Sequence, residues 1–251
     1  MLRDALGRTG LRPGHRPFTP RDTSVPSGPP SLLAGAAEAR AAFQVPRLLA
    51  AGARLSRAPR GDGGVVVDVP GWLAAEATNA PLRRFLGRLG HDARGWGLGV
   101  NHGRPERDAL LLAEIVLAAV QESGRPVALV GWSLGGLIAR EVAREHPEAV
   151  RRVVTYGTPV VGGPTHTVGA RRYGPDESQR ITRLNQRLDA EHPIQVPVTA
   201  ILSRRDGIVS WRACLDRTSR DVEHVEVRST HLGMGLDPDV WSVVADRLSG
   251  P

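Results

Sequence analysis

From Val65 onward, short apolar runs rich in β-branched residues alternate with stretches whose apolar residues recur every three to four positions. That alternation constrains the fold more than any other feature of the chain, because strands separated by helices pair in parallel and need cover on both faces. Residues 65–69, 92–96, 126–130, 150–156, 196–202 and 222–228 read as strands. Leu82, Phe85, Leu86 and Leu89 share one helical face that stops at Gly90, and residues 106–122, 134–144 and 238–248 read as further helices. The pattern predicts an α/β fold with a mostly parallel central sheet and helices on both faces. It lapses only from Pro159 to about Pro193, where glycines, prolines and charges predict a long loop, read as a lid over residues 160–195.

The first sixty residues differ from this body. Residues 1–30 hold six prolines and four glycines and read as a disordered basic arm, whereas 31–60 read as a lead-in of two short helices divided by Pro46. The alternating body is then 61–251. All 33 basic residues are arginine, and the net charge of +7 lies in the arm and lead-in: residues 1–60 carry ten arginines against three acids, residues 61–251 are balanced. A neutral body without aromatic interleaving argues against a nucleic-acid partner. The basic arm leaves weak contact with anionic surfaces open. The single cysteine, Cys214, excludes an internal disulfide and a cysteine-ligated zinc site. The longest apolar stretch is interrupted by Glu114 and too short for a bilayer, and no signal peptide is read at the start, so a cytoplasmic protein is expected.

Chemistry enters at Gly131-Trp132-Ser133-Leu134-Gly135, set between a predicted strand and a predicted helix. In a chain with 29 glycines the pentapeptide alone is weak; its context is what makes it a nucleophile elbow. A serine there projects from a sharp turn, with a helix N-terminus behind it to meet a developing oxyanion. Serine needs a base, and the base needs a carboxylate to orient it. Asp206 follows the strand ending at Leu202, and His231 lies between the last strand and the last helix, giving the chain order Ser, Asp, His. Asp216 and Asp221 are fallback acids. The oxyanion donors are read as the backbone N–H groups of Trp72, in Pro70-Gly71-Trp72, and of Leu134. Trp132, Asn101 and His102 are read as substrate contacts, and no metal or other cofactor is expected.

These residues resemble the α/β-hydrolase superfamily, in particular its small bacterial esterase- and lipase-like members. The resemblance rests on Pro70-Gly71-Trp72, Gly131 to Gly135 and Gly157-Thr158-Pro159, and covers about residues 62–249. It implies an α/β-hydrolase fold with a short lid, a nucleophile at Ser133, an orienting acid at Asp206 and a base at His231. It further implies a small-molecule ester substrate, with an apolar acyl group. An acyltransferase would use the same three residues, and a non-catalytic binding protein could keep the fold. A dehalogenase or epoxide hydrolase of this fold would want aspartate at position 133.

Overall fold

The computed structural model describes residues 16–18 and 28–250. Its centre is a seven-stranded sheet of order β1-β7-β6-β5-β4-β2-β3. The strands are β1 (Arg16–Pro17), β2 (Val65–Val69), β3 (Asp92–Gly95), β4 (Val127–Trp132), β5 (Val150–Tyr156), β6 (Val198–Leu202) and β7 (Val222–Glu226). β2 to β7 pair in parallel, and β1 adds to β7 antiparallel. The six predicted strands are the six parallel ones.

The central strands are buried on both faces, which explains their unbroken apolar character. Successive residues face opposite layers. Val66, Ala128, Val130 and Val154 pack with Leu82, Phe85, Leu86, Val240 and Trp241 of α4 (Ala80–Arg88) and α8 (Pro238–Leu248). Val67, Val69, Leu129 and Val153 pack instead with Leu112, Val116, Ile138 and Val142 of α5 (Pro105–Ser123) and α6 (Leu134–Glu145). Two cores thus clamp the sheet, and the C-terminal ends of its strands carry the loops that matter below.

Three expectations need correction. Residues 159–193 are not a long loop, because Ala170–Glu191 form a 22-residue helix, α7. Its polar composition and Gly174-Pro175 hide it from a reading that seeks a broad apolar face. Second, Pro46 does not divide two helices. The lead-in is α1 (Leu32–Ala36), a 3-10 segment (Ala37–Phe43), α2 (Gln44–Ala50) and α3 (Gly52–Leu55), with Pro46 in the first turn of α2. A proline is tolerated there because the N–H groups of a first turn have no intrahelical acceptor. Third, the arm is tied to the body at 16–18. Beyond β1, Phe18 N–H donates to His224 O at 3.0 Å and its ring meets Trp211 edge-on at 5.7 Å. The remainder of the reading for residues 1–27 lies outside the described residues.

Candidate active site

β4 ends at Trp132 and α6 begins at Leu134, leaving Ser133 alone in the turn with φ 53° and ψ −121°. Only Ser133 and Leu73 combine a side chain with positive φ among the described residues. Such a conformation persists only when the surroundings fix it. Ser133 N–H donates to Tyr156 O at 2.9 Å, and Ser133 O accepts from Gly136 N–H and Thr158 Oγ1, both at 3.0 Å. The flanking glycines are required by contact: a Cβ on Gly131 would lie 2.5 Å from Gly136 Cα, and one on Gly135 would lie 2.3 Å from Val69 O.

The acid and base come from the ends of the adjacent strands β6 and β7. Asp206 Oδ2 and His231 Nδ1 are 2.7 Å apart, with both side chains buried. Asp206 Oδ1 accepts from Ile208 N–H at 2.9 Å and Val209 N–H at 2.7 Å, so the carboxylate is held at both oxygens. A carboxylate so fixed selects the imidazole tautomer with its proton on Nδ1 and leaves Nε2 as the acceptor. The imidazole ring lies 5.7 Å from the Trp132 ring, beside the residue that precedes Ser133. Cys214 is buried nearby, and burial with the Asp206 charge pushes its thiol pKa up, which leaves it an inert neighbour.

The turn after β2 approaches Ser133 from the other side, since a Cβ on Gly71 would fall 3.4 Å from Ser133 Cβ. Leu73, at φ 58°, closes this turn by donating its N–H to Asn101 O at 2.7 Å. Asn101 itself is fully buried. Its Nδ2 donates to Pro70 O at 2.8 Å, and its Oδ1 accepts from Gly103 N–H at 3.0 Å. The structure therefore places Asn101 behind the turn as its support, with no amide group left to meet a substrate. His102 is exposed next to it. Trp72 is half-buried, and a Cβ on Gly169, just before α7, would lie 3.6 Å from its ring. The segment leading into α7 thus lies against the turn.

The fallback acids have other roles. Asp216 is bound to Arg140 of α6 at 2.5 Å and accepts from Ser219 Oγ and the N–H groups of Thr218 and Ser219. Arg140 and these donors hold its carboxyl well below the usual range despite burial. Asp221 is exposed at the start of β7. Two residues that sequence reasoning missed also act on the site's loops. One is Thr158, bonded to Ser133 O, whose signal was its place in Gly157-Thr158-Pro159; the other is Glu38, whose signal was only its being the sole acid in residues 31–60.

Among sequence families, the profile of the alpha/beta hydrolase fold matches residues 92–223, a span that includes Ser133 and Asp206. The chain belongs to the α/β-hydrolase family. A curated relative, the pimeloyl-acyl-carrier-protein methyl ester esterase of Yersinia enterocolitica, is 34% identical over 64 residues, covering 26% of this chain and 23% of that protein. This α/β-hydrolase thus spans about a quarter of that relative's length in the match. Solved structures with the same fold include Aspergillus fumigatus lipase B, at 20% identity and TM-score 0.58, covering 74% of this chain and 52% of that one. A Bacillus licheniformis lipase gives 17% identity and TM-score 0.57, covering 77% and 95%. The monoacylglycerol lipase of Paleococcus ferrophilus gives 18% and 0.55, covering 76% and 96%. At these identities the likeness is one of fold.

Proposed function

We propose that this α/β-hydrolase is a serine carboxylic ester hydrolase. The observation that carries the proposal is a serine held at φ 53° on the strand-to-helix turn, with a buried Asp206–His231 pair at 2.7 Å whose imidazole lies 5.7 Å from the ring of the preceding Trp132. In this reading His231 Nε2 takes the proton of Ser133 Oγ as that oxygen attacks the ester carbonyl, and Asp206 stabilises the imidazolium. The N–H groups of Trp72 and Leu134 receive the oxyanion, the latter aided by the N-terminal end of α6. His231 then protonates the departing alcohol. A water deprotonated by His231 releases the acid from Ser133. The relative from Yersinia enterocolitica, named as a methyl ester esterase, and the lipases of the same fold support an ester with an apolar acyl group.

The test is hydrolysis of p-nitrophenyl esters of increasing acyl length by wild type and Ser133→Ala. The expected result is turnover that the substitution lowers by roughly four to six orders of magnitude, as for nucleophiles in other serine hydrolases. Equal turnover by both proteins, or none by a folded wild type across the series, overturns the reading.

A further inference from the structure

The acid and base loops are bound together from behind by a residue of the lead-in. Glu38, in the 3-10 segment between α1 and α2, is buried. Its Oε1 accepts from Gly207 N–H at 2.7 Å and from His231 N–H at 2.9 Å, and its Oε2 accepts from Leu232 N–H at 2.8 Å. Gly207 directly follows Asp206, so one carboxylate bridges the backbone of the acid loop to that of the base loop. The packing at this junction is tight: a Cβ on Gly207 would lie 2.1 Å from Ala34 O, the carbonyl one turn before Glu38. A second tie runs in parallel, with Gln44 Nε2 of α2 donating to Ser229 Oγ at 3.1 Å.

We propose that Glu38 is a positioning residue for the Asp206–His231 pair, the one carboxylate of the lead-in that acts on their spacing. The proposal rests on the hydrolase reading of that pair. An ionised carboxylate is an acceptor only, and it suits a place where three backbone donors converge. Without it, three N–H groups, two of them on residues of the base loop, lose their acceptor, and the loops can drift apart at the point where the dyad must stay within hydrogen-bond reach. Glu38 touches neither substrate nor reacting atoms; it acts through the distance between Asp206 and His231.

The test uses the full chain as Glu38→Ala, Glu38→Gln and, as a control, Arg54→Ala. The control removes the exposed Arg54–Asp239 tie at 2.8 Å, loosening the lead-in while leaving Glu38 in place. Three readouts are compared: the low-field proton NMR resonance of His231 Nδ1–H, the separate kcat and KM of ester hydrolysis, and the thermal midpoint. Glu38→Ala is expected to broaden or abolish the resonance and to lower kcat about ten- to a hundredfold, with KM within about twofold. Glu38→Gln, which retains the oxygen for Gly207 and His231 but turns a donor toward Leu232, is expected to recover part of both. Arg54→Ala should shift only the midpoint. A wild-type resonance and wild-type kcat in folded Glu38→Ala overturn the proposal, even if its midpoint falls. Should Glu38→Ala not fold, Glu38→Gln decides by the same readouts. The resonance is read without substrate, so inactivity of the wild type on esters counts against the hydrolase reading and leaves the test of Glu38 intact.

Discussion

The turn that is to receive the oxyanion is held by Asn101, whose amide is spent on Pro70 O and Gly103 N–H. Asn101→Ala leaves a buried carbonyl without its donor, which costs about 1–3 kcal/mol of stability. It is expected to lower kcat about tenfold, through displacement of the Trp72 N–H, with little change in KM. Steady-state kinetics and a urea titration on the same variant check both numbers. Thr158→Val is a milder case, removing one hydrogen bond to Ser133 O and costing about 1 kcal/mol. At this scale the sequence was informative about placement after a strand: Ser133 sits on the turn after β4, and Asp206 and His231 meet at 2.7 Å beyond β6 and β7. It was silent where the role depends on direction. Asn101 does follow β3 near the site, but nothing in the residues around it says that its amide turns inward, and Glu38 meets partners 169 to 194 positions away with no pattern to announce them.

Among elements, α6 does more than start behind Ser133. Arg140 reaches Asp216 at 2.5 Å, and Arg144 binds Asp189 of α7 at 2.6 Å and the carbonyl of Leu188 at 3.1 Å. α6 is thereby tied both to the loop after β6 and to the C-terminal part of α7. Breaking the buried Arg140–Asp216 pair on one side leaves the guanidinium with only Asp189, at 3.6 Å, and Asp216→Asn is expected to cost about 3 kcal/mol in denaturant unfolding. Arg144→Ala removes the buried tie to α7 and is expected to lower the midpoint as well as speed proteolysis within α7. The strands and the core helices were legible because each carries a buried face, and their periodicity follows from it. α7 was not, because its apolar positions are few and set among many charges. The lead-in was legible as helical, yet its breaks follow local turns that apolar spacing does not encode.

For the molecule as a whole, two buried carboxyls tilt stability against pH in opposite directions. Burial pushes Asp68, in the otherwise apolar β2, up to about 7, although Arg83 and Asn79 both bind it at 2.9 Å. Its native form holds a proton more tightly than the unfolded chain does. The stability this contributes is complete below the ordinary carboxyl range and is lost as pH rises to about 7. Asp216 behaves oppositely: its contribution is present above the ordinary range and disappears as pH falls toward its depressed value. The urea midpoint is therefore expected to fall between about pH 5 and 7.5 and to fall again well below pH 4. Asp68→Asn should flatten the first decline, and an unchanged slope in that variant would assign the decline to other groups.

The bridge from Glu38 to His231 spans 193 positions, nearly the length of the chain, and it has a consequence for biosynthesis. At roughly 5–20 residues per second, a ribosome delivers His231 about 10–40 s after Glu38. During that interval the elbow at Ser133 can form on the emerging sheet, but neither the base nor its brace has a partner. On the proposed mechanism, a nascent chain halted before residue 231 lacks its base, and the site is complete only when the loop that carries His231 is released and closes over Glu38.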